Sequence, residues 1–331
     1  MADYININGN NIPIRASDPS NPILGEVWYN LTTNALKGQG VTTSGTWASA
    51  PAFPVASRGG YGFGTPLAGL TAGGIVGTVI NTSYEWNGSA WGTGGNLTAS
   101  GFIGGGGGIQ TAAVYSGFGG GLPPAPSTTN DYDGTSWASG NPLNTNRYYG
   151  KGGGPTAAVL LVGGNGDPGI RNQMEFYDGT SWASQPQSLN TARSNSGGAG
   201  NQTDAIVWQG YVGAGSFTNT TEVWNGASWT AVNNFLISNE GSGSGDGQTD
   251  NSSSAVSLGT SNPETGNSYV WDGTCWASDT AMSNGRGTAY QLGGNPSALY
   301  IGGFDGSPSN TTDVEEWTGP GVATTVTFSS S

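Results

Sequence analysis

From about residue 50 onward, short apolar runs alternate with small and polar residues in an order that repeats along the chain. Each round opens on a Gly-rich segment, YYGKGGG at 148–154 or SNSGGAG at 194–200. Such a segment suits an innermost strand, where sheets converge and side chains must be small. A small apolar strand follows, opened by Ser or Thr and Ala and often closed by glycines: TAAVYSGFGG from Thr111, TAAVLLVGG over Thr156–Gly164, SAVSLG from Ser254, SALYIGG from Ser297. The copy TDAIVWQG from Thr203 carries Asp204 where its neighbours have Ala. A third strand-like segment comes next (SYE, MEF, TEV or SYV), and then a hairpin.

The hairpin is the clearest signal. It reads WNGSAW at Trp86–Trp91, YDGTSW at Tyr132–Trp137 and again at Tyr177–Trp182, WNGASW at Trp224–Trp229 and WDGTCW at Trp271–Trp276, with a degenerate copy, WTGPG, starting at Trp317. Asn-Gly or Asp-Gly between aromatic, β-favouring stretches is a strong hairpin signature, because Gly supplies the positive φ that the turn needs. The closing tryptophans at 91, 137, 182, 229 and 276 are 46, 45, 47 and 47 residues apart.

About four strands per unit at this period predict an all-β ring of stacked units, a six-bladed β-propeller with seven blades as the alternative count. The repeats fall at 58–97, 101–142, 147–188, 193–235, 240–281 and 286–328, within a propeller domain of 50–331. Residues 1–49 form an N-terminal hairpin extension, with strands at Glu26–Asn30 and Ala35–Lys37 around a Thr-Thr-Asn turn. GTWAS, Gly45–Ser49, mimics the last strand of a repeat: it either closes the ring against the last blade or belongs to the extension.

Composition narrows the function. Only 9% of residues are charged and 61 are Gly, yet twelve Trp, thirteen Tyr and nine Phe supply enough buried area for a folded chain. The net charge of −13 argues against binding nucleic acid. With no histidine, Ser-His-Asp and Cys-His catalysis and His-ligated metal sites are excluded. Cys275 is the single cysteine, so no intrachain disulfide is expected. MADYININGN lacks the basic and apolar regions of a signal peptide, and no apolar run reaches membrane-spanning length. Synthesis in a cytoplasm, with no membrane insertion and no cofactor, is the expectation.

The order Arg147, Gly163-Gly164, Tyr177, Trp182, and again Arg286, Gly302-Gly303, Trp317, resembles kelch repeats. That resemblance implies a propeller that binds rather than catalyses. DPSNPILGEVWYNLTTNALKGQ, Asp18–Gln39, resembles a segment of bacteriophage tail and fibre proteins with the pattern G-x-V-W-Y-N-x-T-T-N-x-L-K, and VATTVTFSSS resembles endings of such proteins. These resemblances imply a non-enzymatic virion protein (tail, fibre or decoration component), assembled in the host cytoplasm. Its partners would be other virion proteins and a host-surface glycan. A cellular or exported kelch-type binding module is the alternative, and a propeller glycosidase, which needs two close carboxylates, is a second.

Candidate sites follow the repeat. The tryptophans at 91, 137, 182, 229, 276 and 317 read as packing between blades, against the alternative of exposed rings stacking on sugars. Trp208 interrupts the pattern and stands out as a binding candidate. Arg58, Arg147, Arg193 and Arg286 precede the innermost strand: each guanidinium either ties a loop to carbonyls of an adjacent blade or joins an anion-binding ring at the channel mouth. Loops after the Gly-Gly strands, such as NGDPGIRNQ and FDGSPSNTT, are recognition candidates. Glu240, Asp246 and Asp250 lie close in sequence, but their spacing does not match a helix-loop-helix calcium site, so no metal is expected.

Overall fold

The computed structural model describes residues 12–20, 26–41, 44–120, 124–240, 250–261, 263–306, 310–320 and 323–328. It divides into two compact units: Met1–Thr46 with Gly319–Ser331, and Trp47–Thr318.

The larger unit repeats one antiparallel meander. The first sheet runs Tyr61–Thr65, Ala68–Ala72, Ser83–Trp86, Trp91–Thr93 from the inside outward. The second runs Gly105–Ile109, Ala112–Ser116, Thr129–Tyr132, Trp137–Ser139; the third, Lys151–Gly153, Val159–Val162, Gln173–Tyr177, Trp182–Ser188; the fourth, Gly197–Gly200, Ala205–Trp208, Thr221–Trp224, Trp229–Val232. The fifth has three described strands, Ala255–Thr260, Thr265–Trp271 and Trp276–Asp279. The sixth takes Tyr290–Gly294, Ser297–Ile301 and Val314–Thr318, and its outermost strand is Thr46–Ser49 from the other end of the chain. Of the two placements open to GTWAS, the one against the last sheet is observed, and Trp47 Nε1 donates to the Thr280 carbonyl at 2.9 Å. The domain boundaries differ accordingly from 1–49 and 50–331. The last repeat stops at Thr318, because Ala323–Phe328 pairs instead with Ala35–Val41 in the smaller unit.

The inner strands of the first four sheets lie side by side in chain order, and Tyr290–Gly294 of the sixth sheet packs on Tyr61–Thr65 of the first. Gly152 shows why these strands are glycine-rich: a Cβ there would lie 2.5 Å from the Gly106 carbonyl oxygen of the neighbouring sheet. The apolar core is correspondingly divided into six clusters, each between consecutive sheets. The cluster of Phe53, Trp86, Tyr290, Leu292 and Ile301 joins the sixth sheet to the first.

The outer hairpins are built alike. Asp133 Oδ1 accepts the backbone N–H of Thr135 at 2.9 Å and of Ser136 at 2.8 Å, with Gly134 at φ 92°. Asn87, Asp178, Asn225 and Asp272 cap their own turns in the same way. The two N–H donors also hold the Asp133 carboxyl below its ordinary pKa.

In the smaller unit, Ile14–Arg15, Val27–Asn30, Ala35–Val41 and Ala323–Phe328 form one four-stranded sheet. The strands expected at Glu26–Asn30 and Ala35–Lys37 pair antiparallel, Trp28 opposite Lys37. Asp18 gathers the conspicuous residues of this segment: it accepts from Lys37 Nζ at 2.7 Å, Asn30 Nδ2 at 2.6 Å and Trp28 Nε1 at 2.9 Å. Lys37 foremost, then Asn30 and Trp28, draw the Asp18 pKa down to about 2.

Candidate functional site

Six isolated bridges recur at one repeat position: Arg58 to Ile75, Phe102 to Gly119, Tyr148 to Asn165, Ser194 to Tyr211, Glu240 to Ser261 and Gly287 to Phe304. Each ties the residue entering an innermost strand to the connection that follows the Gly-rich end of the second strand. The next residue of the repeat takes a left-handed backbone: Gly59 (φ 71°), Ile103 (58°), Tyr149 (58°), Asn195 (49°) and Thr288 (51°). The fifth copy falls at 241, outside the described residues.

For a β-branched Ile or Thr this conformation is strained, and here the surroundings enforce it. The N–H of Ile103 donates to the Gly59 carbonyl at 2.7 Å, Tyr149 to Ile103 at 2.7 Å, Asn195 to Tyr149 at 3.2 Å, and Gly59 to Thr288 at 2.7 Å. Successive sheets are thus stitched by main-chain bonds at a single level of the channel.

Above this level opens a vestibule of about 650 Å³. Phe102, Tyr149, Tyr211, Phe217 and Phe304 give it aromatic walls. Asn165, Ser194, Asn195 and Ser261 supply amide and hydroxyl groups, and Arg58, Glu240 and Glu264 the charges. Two-stranded ribbons in the connections, Ile75–Val76 with Thr78–Val79, Asn165–Gly166 with Gly169–Ile170, and Tyr211–Gly213 with Ser216–Phe217, carry part of this lining. Of these, the ribbon at Asn165–Ile170 lies in NGDPGIRNQ, one of the loops marked out by sequence.

Electrostatically the vestibule is uneven. The Arg58 guanidinium lies over the Phe304 ring, 4.5 Å from its centroid, and makes no ion pair or hydrogen bond among the described residues. Glu240 Oε2 accepts from Asn195 Nδ2 at 2.8 Å. Burial raises the Tyr149 pKa, Glu240 and Tyr148 add to the rise, and Arg58 opposes it.

The four arginines do not share a position. Arg147, Arg193 and Arg286 are completely buried and lie one residue before the bridge position, where the first sheet has Ser57. Arg147 donates to the carbonyls of Gly163 at 2.9 Å and Gln173 at 2.8 Å and pairs with Glu175 at 2.8 Å. Arg193 pairs with Glu222 and Arg286 with Glu315, both at 2.5 Å. These partners belong to the arginine's own sheet, not to the adjacent one. Where Arg is replaced by Ser57, Gly101 or Asn239, the acid's place is taken by Tyr84, Asn130 or Tyr269. An unpaired buried charge on either side would be costly, so the two positions vary together. Only Arg58 reaches the vestibule.

Trp208 is also buried, packed at a tilt of 53° against Trp276 with centroids 4.9 Å apart, and has no exposed face to offer. Trp137, Trp182, Trp229, Trp276 and Trp317 are buried and Trp91 half-buried. Four of them bond the preceding sheet: Trp137 Nε1 to Ser83 Oγ at 3.3 Å, Trp182 Nε1 to Thr129 Oγ1 at 3.1 Å, Trp276 Nε1 to Thr221 Oγ1 at 3.0 Å and Trp317 Nε1 to Asp279 Oδ2 at 3.1 Å. Of the three acids near the fifth sheet, Glu240 borders the vestibule, Asp250 is buried where it accepts the Asn295 N–H, and Asp246 lies outside the described residues. No group of three metal-ligating side chains occurs among the described residues.

The left-handed stitch escaped sequence reasoning because its residues share no side-chain type. The one available signal was their near-constant offset from the preceding hairpin.

No family model and no curated protein matches the sequence. Among solved structures, the chain is similar to YjhT, with a TM-score of 0.67 at 13% identity, covering 81% of this chain and 96% of that one. YjhT has a propeller-type fold. Together with the repeated meanders, the six inter-sheet clusters and the packing of the last inner strand on the first, this likeness makes the chain an all-β protein with a β-propeller fold.

Proposed function

We propose that this chain is a non-enzymatic structural protein of a bacteriophage particle, a six-bladed kelch-like propeller whose vestibule recognises a ligand and whose smaller unit docks on other virion proteins. The observation that carries the binding part is where the repeat stays constant and where it does not. Hairpins, caps and inter-sheet tryptophans recur almost unchanged, whereas the bridge position reads Arg58, Phe102, Tyr148, Ser194, Glu240 and Gly287. Six copies that keep their hairpins and inter-sheet packing while differing in charge and size at the level of one cavity are what recognition of an asymmetric ligand requires.

The virion part is supported by the resemblance of Asp18–Gln39 to tail and fibre proteins. Its Trp28, Asn30 and Lys37 are held by Asp18 inside the smaller unit, so the motif has a structural reason apart from the repeats. Sedimentation of intact particles in a density gradient, with peptide mass spectrometry of each fraction, tests it. Stoichiometric recovery in the particle band is expected; absence from that band overturns the virion reading.

A second reading, a glycosidase, is favoured by one feature: Glu240 and Glu264 both border the vestibule, and glycoside hydrolysis uses a pair of carboxylates. A hydrolysis screen against aryl glycosides and oligosaccharides separates it from the first.

A further inference from the structure

The vestibule's single arginine points to the chemistry of its ligand. We infer that Arg58 and the wall around it form a site for a small sugar acid, a hydroxylated ring bearing one carboxylate. This rests on the vestibule alone and stands wherever the chain resides.

Arg58 is placed to bind an anion. Arg15, Arg147, Arg193 and Arg286 are each paired with a carboxylate, and Arg171 is spent on Asn146 and on the Asp167 carbonyl. Arg58 has no such partner among the described residues and is half-buried, its position fixed by the Phe304 ring beneath it and by main-chain bonds to Ile75. A guanidinium seated over an aromatic ring still offers its fork of N–H donors to a carboxylate, which can accept two parallel hydrogen bonds from it.

The rest of the wall selects a sugar over a simple acid. Asn165, Ser194, Asn195 and Ser261 offer both donors and acceptors, and Tyr149 and Tyr211 add ring faces and hydroxyls. A volume of about 650 Å³ suits a ligand of one or two rings. Charge sets the upper limit. Glu240 and Glu264 border the same cavity and the chain carries −13 overall, so a sulfated or polyuronate polymer is repelled, whereas one carboxylate can be met by Arg58.

The test is ligand-observed NMR and calorimetry on the full-length chain with a panel of hexuronic acids, their neutral parent hexoses and their methyl esters, with heparin as the polymeric arm. At least one acid is expected to bind, and to bind at least tenfold more tightly than its hexose or ester. Arg58→Gln abolishes that preference without altering thermal unfolding, since it breaks no internal hydrogen bond, and Arg58→Lys restores part of it. Three results overturn the inference: no acid preferred over its neutral counterpart, a preference that survives Arg58→Gln, or heparin binding more tightly than every monomeric acid. None of them bears on particle sedimentation, so the virion reading stands or falls separately.

Discussion

Arg193 and Glu222 form an ion pair with almost no solvent exposure on either side, Nη2 to Oε1 at 2.5 Å, inside a single sheet of the propeller. Burial alone would penalise both charges by several kcal/mol, and it does depress the Arg193 pKa against the pull of Glu222. The compensation is the density of partners. Arg193 also donates to the carbonyls of Gln209 and Thr220, and Glu222 also accepts the N–H groups of Asn190 and Thr191. The pair closes the loop that leads into the innermost strand. Removing one charge by Glu222→Gln should therefore destabilise the protein by about 3–5 kcal/mol. The double change Arg193→Met/Glu222→Leu should cost clearly less than the sum of its singles. A double-mutant cycle by urea unfolding reads both; additive losses would rule out the coupling.

The indole of Trp276 hydrogen-bonds across the sheet boundary to Thr221, whereas that of Trp229 has no acceptor among the described residues, because Met174 occupies the equivalent place in the preceding sheet. Thr221→Val should leave a buried N–H unpaired and cost about 1–3 kcal/mol. Thr221→Ser, which keeps the hydroxyl, should recover most of that loss. Differential scanning calorimetry of the two variants distinguishes the bond from simple packing, which Val satisfies better than Ser.

Much of this architecture was legible because the hairpin turn demands particular residues. An Asx side chain must cap two N–H groups and the next residue must tolerate φ near 90°, so Asp178-Gly179 and its counterparts announce themselves at every repeat. Arginine register was harder. Arg58 sits near Arg147, Arg193 and Arg286 in the repeat, but the apolar residue four places earlier, Leu143, Leu189 or Met282 for those three, is Phe53 for Ser57. Counted from that anchor, Arg58 lies one position further on, and one position moves a side chain from the interior to the vestibule. Trp208 misled because its strand packs between two neighbouring sheets on both faces, and there an unusually large side chain is simply core.

Asp18 is the hub of the smaller unit, and its depressed pKa gives a sign to test. A carboxyl lowered to about 2 contributes stability that is fully present above the unfolded value near pH 4 and is lost as pH falls through about 2. Hydrogen exchange at 26–41 should therefore accelerate between about pH 4 and pH 2, once corrected for the intrinsic exchange rate. Asp18→Asn should show the weakened protection already at neutral pH. Protection in that segment unchanged by the substitution would mean that Asp18 does not hold Trp28, Asn30 and Lys37 together.

Asp250 has the opposite sign. It is fully enclosed where the fifth sheet meets the turn of the sixth, accepting the N–H of Asn295 at 2.5 Å and of Val256 at 3.2 Å, and burial pushes its pKa up to about 8 despite these bonds and the positive charge of Lys151. The folded protein then keeps a proton that the unfolded chain releases near pH 4. Stability from this group is fully present below about pH 4 and declines by about 1.4 kcal/mol per pH unit as pH rises toward 8, where the decline levels off. Relief by movement is blocked on one side, since a Cβ at Gly294 would already lie 2.3 Å from the carboxylate. Asp250→Asn keeps an acceptor for Asn295, forfeits the longer bond from Val256 and removes the titration. Relative to this variant, the wild type should lose stability steadily from pH 5 to pH 8. Urea unfolding at unit steps of pH reads the difference directly, and a constant gap between the two proteins across that range would mean that Asp250 is already ionised in the folded state.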